Sequence, residues 1–314
     1  MKYLINTRTE PQWNMAFDEF ALEGLRADEP LFYLWQNAPA VIIGLNQSPY
    51  AEVNLPYLEA NGITLARRVT GGGAVYHDLG NLNYSIVGPS KEVEKHYGTV
   101  AEALRKLGVP AELSGRNDIL VEGRKCSGYA KRLYKDRMMI HGTLMWDVDL
   151  VRLTEALSVP GSKVEAKGIA SVRSRVANLK AYLPQFGGID AFRAALQAIL
   201  ADGDGAHPLQ PADLEAVDRA VKEKFGRWEW NFGHAPESTH HCRKTFPCGT
   251  VEAHFTLKGG VFTALSFSGD FIGLRPAEEL AGLLLGKRPE DIRGLVVSAY
   301  FDSTGPEDLL TMFQ

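Results

Sequence analysis

The sequence predicts an α+β fold: a mixed or antiparallel sheet with flanking helices, then a small α/β accessory domain. Three observations carry this. Short apolar runs alternate irregularly with amphipathic stretches, without the strict β-α order of a doubly wound sheet. The texture changes across WEWNFGHAPES (Trp228–Ser238), which places a boundary between a first domain, 1–235, and a second, 236–314. The length of 314 residues, 45% hydrophobic and 23% charged, suits about two globular domains with sizeable cores.

Trp13, Phe17, Phe20, Ala21 and Leu25 recur at helical spacing, with Asp18, Glu19 and Glu23 outside the stripe, so Trp13–Leu25 reads as an amphipathic helix. LFYLW (Leu31–Trp35) and AVIIG (Ala40–Gly44) read as two strands joined by a tight turn at Asn37-Ala38-Pro39. A short helix is expected over Glu52–Asn61, stopped by Gly62. Strands are expected over Ile63–Val69, Ala74–His77 and Leu82–Val87. Thr99–Leu107 follows as a helix, with Thr99 as N-cap and Gly108 as its stop. Ile119–Val121, Glu122-Gly123-Arg124 and the alternating segment after them predict a hairpin, and Met138–Trp146 a further strand. Helices are expected at Leu150–Leu157, Ile189–Leu200 and Pro211–Phe225. In the second domain, Thr250–Leu257 and Val261–Phe267 form a hairpin turned by Lys258-Gly259-Gly260. Helices near Ala277–Leu285 and Pro306–Phe313 complete it.

A net charge of −4 gives no overall basic field, so no nucleic-acid partner is expected. No apolar run approaches the ~18 residues of a membrane span. The opening residues lack a signal-type apolar stretch, and three cysteines are too few for a disulfide framework. These features predict a cytoplasmic protein with no membrane partner.

Three basic, glycine-bearing segments stand out in this acidic chain. In ARRVTGGGAVYHDLGN (Ala66–Asn81), consecutive glycines allow backbone N–H groups to approach a bulky anion. Arg67 and Arg68 leave a strand on opposite faces, so one of them is expected to point at a ligand. The alternative is a glycine bulge with solvated arginines. In SGRNDILVEGRKCSGYAKRL (Ser114–Leu133), Lys125 lies between Gly123 and Gly128, with Ala130 beyond, so a ligand has room against the backbone while the ammonium reaches it. Asp118 is a candidate oxygen ligand for magnesium. In KVEAKGIASVRSRVANL (Lys163–Leu179), Arg173 and Arg175 share one face of an extended segment, with Lys167 near, either to neutralise phosphate or to guard a sheet edge. Together the segments suggest a site for a phosphorylated small molecule. Neither a Walker A sequence nor G-x-G-x-x-G after a strand is present. A metal site over His234, His240, His241, Cys242 and Cys248 matches no zinc spacing and is disfavoured, and Cys126 reads as a small core filler.

Four ordered stretches, RRVTGGGAVYHDLGN, GRNDILVEGRKCSGYA, HGTLM and KGIASVRSRVANL, resemble the lipoate–protein ligases. The resemblance runs from about Tyr3 to Gly233 and more weakly beyond. It implies a fold related to biotin ligases and class II aminoacyl-tRNA synthetases. It implies ATP-dependent, magnesium-assisted adenylation of lipoate to lipoyl-AMP, then transfer of the lipoyl group to a lysine of an acceptor. The acceptors implied are lipoyl domains of 2-oxoacid dehydrogenase complexes or the glycine cleavage H protein. By the same resemblance, Gly71, Gly72 and Gly73 lie under the lipoyl-adenylate, Arg68 contacts its phosphate or ATP, and the backbone from Gly73 through Ala74 and Val75 to Tyr76 continues the cradle, with His77 also at the binding site. Lys125 is the catalytic cation. Asn117 and Asp118 face nucleotide and magnesium, and Gly128, Ala130 and His141 fall within the matching stretches. Lys167 and Arg173 belong to a loop expected to be mobile until the adenylate orders it. His77-Asp78 is expected to fix the glycine turn. The competing expectations are an ATP-independent octanoyl- or lipoyltransferase of the same fold and an inactive lipoate-binding protein.

Overall fold

The computed structural model describes residues 1–115, 117–157, 175–201, 205–234 and 238–313. Thirteen strands occur among them: β1 (Lys2–Tyr3), β2 (Leu31–Trp35), β3 (Ala40–Ile43), β4 (Thr64–Arg67), β5 (Val75–His77), β6 (Asn81–Pro89), β7 (Ala111–Ser114), β8 (Asp118–Val121), β9 (Arg124–Tyr134), β10 (Arg137–Met145), β11 (Ser238–Phe246), β12 (Gly249–Lys258) and β13 (Val261–Gly269). They form a seven-stranded sheet in the order β1-β2-β6-β10-β9-β8-β7 and two three-stranded sheets, β4-β3-β5 and β11-β12-β13. Pairing in the large sheet is antiparallel except for β1 on β2. This is the mixed α+β architecture that the sequence predicts.

The large sheet is buried on both faces. Phe32, Leu34, Leu82, Tyr84, Ile86, Ile140 and Leu144 pack with the helices Thr99–Lys106 and Ile189–Leu200. Tyr33, Trp35, Val87 and Met139 pack instead with helix α1 (Pro11–Glu23), through Trp13, Met15, Phe17 and Ala21. Alternation along each strand sorts the two sets, since successive side chains leave opposite faces. The sheet β4-β3-β5 adds Ile42 and Ala66 to the α1 side, while Val41, Ile43 and Tyr76 join Met145, Val148 and the helix Leu150–Ala156. The sheet β11-β12-β13 covers its own cluster with the helix Ala277–Leu284, and Tyr50 joins that cluster from the first part of the chain.

Several boundaries differ from the sequence reading for identifiable reasons. β2 and β3 are not a hairpin: β2 pairs with β1 and β6, whereas β3 pairs with β4 and β5. Two adjacent apolar runs look alike locally, and only distant partners assign them to different sheets. The expected helix Glu52–Asn61 divides into Pro49–Glu52 and Leu55–Ala60, because Asn54 caps the second one through Tyr57 N at 3.2 Å. Gly98, not Thr99, is the N-cap of Thr99–Lys106. The helix Pro211–Ala220 continues as one π-helical turn, Val221–Phe225. The strand β11 carries too many polar residues to announce itself, yet it pairs with β12 over its whole length.

Candidate functional site

The face of the large sheet beneath α1 carries two polar rows. Tyr33 pairs with Ser85, Ser85 with His141, and His141 with Ala130, so one row crosses β2, β6, β10 and β9. Two residues along, Trp35 pairs with Asn83 and Asn83 with Thr143. Opposite His141 and Thr143, β9 presents only the small residues Gly128 and Ala130 on this side, which leaves open space above the sheet.

Asp18 closes the first row from above. The periodicity places it outside the apolar stripe of α1, but it is 1% exposed. Its Oδ1 accepts from Tyr33 Oη and from Ser85 Oγ at 2.9 Å, and its Oδ2 lies 2.6 Å from His141 Nδ1. Ser85 Oγ in turn accepts from Trp35 Nε1 at 3.0 Å. A buried carboxylate is tolerated only when so fully bonded. Burial first, then the Asp18 charge, raises the Tyr33 hydroxyl well above the usual tyrosine value, so Tyr33 stays a donor. On its far side His141 Nε2 meets Thr70 Oγ1 at 2.7 Å, and Thr70 Oγ1 accepts from Arg68 Nε at 3.0 Å. With the histidine proton on Nδ1, every hydrogen bond runs in one direction, from Arg68 through Thr70 and His141 to Asp18.

Arg68 therefore ties this chain of bonds to the triple glycine. Its Nη2 donates to Gly71 O at 2.7 Å and Gly73 O at 2.9 Å, and its Nη1 to Ile42 O at 3.1 Å. The guanidinium folds the glycine loop around itself. The loop presses on Gly44, where an added Cβ would lie 2.1 Å from Gly72 O. Gly72 has φ +97, a conformation that favours glycine, whereas a Cβ on Gly71 or Gly73 would meet nothing within 4 Å. Arg67 points the other way, as strand alternation requires. It is fully buried and donates to the carbonyls of Gly44, Leu45, Gln47, Trp230 and Asn231. Burial lowers both arginines to about 10, which leaves them charged at neutral pH.

Lys125 reaches the site through a bulge. Residues three apart on a regular strand face opposite ways, so Lys125 and Gly128 should diverge. The register with β8 slips between Ile119 and Leu120: Ser127 faces Ile119, but Lys125 faces Leu120, and Cys126 is the extra residue. A bulge of this kind re-aims a side chain. Lys125 Nζ then lies 2.8 Å from Asp118 Oδ1 and directly over Gly128, where a Cβ would sit 2.9 Å from Lys125 Cε and Nζ. Asn117 braces the same turn, donating from Nδ2 to Tyr129 O at 2.7 Å. The backbone of Lys125 also pairs with the segment after it in space: Lys125 N donates to Arg175 O at 2.8 Å, and Ala177 N to Lys125 O at 2.9 Å. The residues Lys167 and Arg173, and most of the loop expected to close, lie outside the described residues.

These features surround one cavity of about 190 Å³. Of the residues singled out from the sequence, Arg68, Gly72, Gly73, Ala74, Val75, His77, Asn117, Lys125, Gly128, Ala130 and His141 line it. Gly71 and Asp118 bond to liners, Arg68 and Lys125, and the Tyr76 side chain turns to the other face of β5. Met15, Trp35, Ile42, Asn83 and Thr143 line it as well and escape sequence reasoning. The first three supply an apolar wall. Nothing local marks them, because core residues on three different elements converge only in the fold.

Two donors line the cavity without a partner among the described residues. Asn81 Nδ2 occupies Asn83 Oδ1 at 2.8 Å, and Asn83 Nδ2 is buried and unbonded. His77 Nδ1 lies 3.1 Å from Asn37 Nδ2, whose amide is oriented by Asn14 Nδ2 donating to Asn37 Oδ1 at 2.8 Å. His77 Nδ1 is thus an acceptor, and Nε2 carries the proton, buried and unbonded. Burial, aided by the nearby Arg68 charge, pushes His77 down to about 3, so it is neutral. His77-Asp78 does not fix the glycine turn as expected. Asp78 instead accepts from Gly80 N at 2.8 Å and Asp149 N at 3.0 Å, steadying the turn into β6 and the start of the helix Leu150–Ala156.

Cys126 is fully buried, and burial pushes its thiol up to about 12, in keeping with a core filler. The histidines and cysteines between His234 and Cys248 do not converge. His234 lies tilted against Trp230, His240 stacks on Phe255, and Cys248 is buried beside Thr304.

Comparison with known proteins agrees with this geometry. Residues 10–201 match the family model described as the lipoyl protein ligase A/B catalytic domain. Residues 235–313 match that of the bacterial lipoate protein ligase C-terminus. Lipoate-protein ligase LplJ of Bacillus subtilis is 38% identical over 96% of this chain and 96% of its own. A structure of a bi-partite lipoate protein ligase and its E2 lipoyl domain from Thermoplasma acidophilum superposes with a TM-score of 0.67 at 31% identity, covering 74% of this chain and 96% of that one. A lipoate-protein ligase A bound with ATP superposes with a TM-score of 0.64 at 30% identity, covering 74% of this chain and 98% of that one.

Proposed function

The chain belongs to the lipoyl protein ligase family, and from that membership we propose that it activates lipoate with ATP and passes the lipoyl group to a lysine of an acceptor domain. The observation that carries the reading is the Lys125–Asp118 pair over Gly128, set at a cavity with an apolar wall of Met15, Trp35 and Ile42. The wall suits an acyl chain, and the lysine suits the carboxylate at its end.

In the first step a lipoate carboxylate oxygen attacks the α-phosphorus of ATP. Pyrophosphate leaves, and lipoyl-AMP, a mixed anhydride, remains. Carboxylate and triphosphate repel, so Lys125 offsets charge on both and stabilises what develops between them. Asp118 holds the ammonium in place while Gly128 leaves it room. The glycine loop, shaped from beneath by Arg68, presents backbone rather than side chains to the adenylate. Magnesium would be held by Asp118 with oxygens of the triphosphate and would neutralise polyphosphate charge. One carboxylate plus phosphates is a donor set the ion accepts, and Asp18 is already saturated by three donors. In the second step the neutral ε-amine of the acceptor lysine attacks the anhydride carbonyl, forming the amide and releasing AMP. The partner supplies that nucleophile, and the inert Cys126 leaves no acyl-cysteine route at this site. The similarity to a lipoate protein ligase described together with its E2 lipoyl domain supports lipoyl domains as acceptors. The free cysteines support a cytoplasmic setting.

The test is mass spectrometry of a lipoyl domain incubated with the protein, lipoate, ATP and magnesium. One added lipoyl group, lost when ATP is omitted or with Lys125→Ala, is the expected result. Transfer from an acyl donor without ATP would overturn the ligase reading in favour of a transferase.

A further inference from the structure

His241 on β11 and His254 on β12 stand directly opposite each other in the register. Their rings stack with centroids 4.1 Å apart and planes 15° from parallel. Glu252 lies two residues before His254, so it leaves β12 on the same face. Its Oε2 is 3.5 Å from His241 Nε2, and its other oxygen, Oε1, is 3.4 Å from Arg243 Nη1. One ligand atom from each of His241, Glu252 and His254 falls within 4.8 Å of the other two.

We propose that these three residues form a transition-metal site, with zinc the ion it fits best, outside the ligase cavity and independent of it. Two imidazole nitrogens and one carboxylate oxygen are a donor set that zinc takes at about 2.0–2.2 Å. Magnesium and calcium favour all-oxygen shells and are disfavoured here. Bringing the three atoms onto one ion needs only side-chain rotation. The room for it exists, since His241 is 52% exposed and Glu252 27%. Arg243 holds the oxygen that the ion does not need and so aims the other one, as outer partners of metal ligands commonly do. A water completes a tetrahedral shell.

The placement assigns the site a structural consequence. β11 is an edge strand of its sheet and the first strand described after the segment that links the two parts of the chain. His241 comes from this edge, while Glu252 and His254 come from the central strand β12. A bound ion would clip the edge to the centre and stabilise the folded form by ordinary linkage. Cys242 and His240 lie outside the site, because neighbours of His241 on a strand point to the opposite face.

The experiment is calorimetric titration of the full chain, freed of metal by chelator, with zinc alone. The expected result is one ion per chain, with affinity reduced about tenfold or more in each of His241→Ala and His254→Ala. The two variants are on an exposed face, so melting without metal should match the parent. Zinc should raise the melting temperature of the parent and not of the variants. His240→Gln and Cys242→Ser should bind as the parent does. No binding by the parent, or unchanged binding by the double variant His241→Ala/His254→Ala, would overturn the site.

Discussion

Gly128→Ala separates the position of Lys125 from the stability of the fold. An added Cβ would lie 2.9 Å from Lys125 Cε and Nζ and 3.4 Å from Asp118 Oδ1. The first two contacts are too close, so something must move. The atoms in the way belong to the end of a flexible lysine that is 44% exposed, so the lysine swings out and the backbone stays. The lost ion pair is partly solvated and contributes about 0–1 kcal/mol. Gly128 is not among the positive-φ glycines, so alanine adopts its backbone and recovers about 0.4–1 kcal/mol from the unfolded state. The two terms nearly cancel, and the melting temperature should move by less than about 4 °C. The chemistry does not cancel. A cation displaced by about 1 Å costs on the order of 10²-fold in rate. Pyrophosphate release with lipoate, ATP and magnesium should therefore fall about a hundredfold while thermal melts stay put. Near-parental pyrophosphate release would refute the role given to the lysine position. A large loss of stability would show instead that the glycine serves packing.

The neighbouring glycines should behave differently from one another. Gly73→Val adds a side chain where nothing lies within 4 Å, so it should fold normally yet weaken a lipoyl-adenylate analogue about tenfold by titration. Gly72→Ala, at φ +97 and with its Cβ 2.8 Å from Arg68 Nη2, should lose about 1–2 kcal/mol in chemical denaturation whatever the ligand does. Asp18→Asn leaves buried donors facing an amide that cannot accept from all of them. It should cost about 2–3 kcal/mol, and a loss under about 0.5 kcal/mol would show the network to be dispensable. His77 is held near 3 in the folded state against 6.5 when unfolded, so below pH 6.5 the unfolded chain binds a proton that the folded one refuses. Its contribution is whole above pH 6.5 and is lost as pH falls toward 3, at about 1.4 kcal/mol per pH unit. Denaturation of His77→Gln between pH 6 and 4 should show a shallower decline than the parent, and equal slopes would remove His77 as the cause.

Local chemistry fixed much of this protein in its sequence. Helix Ile189–Leu200 and the hairpins β8–β9 and β12–β13 are legible because periodicity and glycine turns are properties of neighbouring residues. The glycine loop, Lys125 and Asp118 are legible because close backbone approach and charge demand particular residue types. The tertiary structure alone decided which strands share a sheet, as the separation of β2 from β3 shows, since pairing depends on partners far along the chain. It alone turned Asp18 inward, because a helix position outside the apolar stripe can still face a waiting histidine. It placed Cys126 as the extra residue of a bulge and thereby swung Lys125 over Gly128, a change of one register step that composition does not record. It divided the histidines of the second part, stacking His240 on Phe255 and sending His241 across to His254. Each of these depends on contacts between residues distant in sequence, and those distances exist only once the chain has folded.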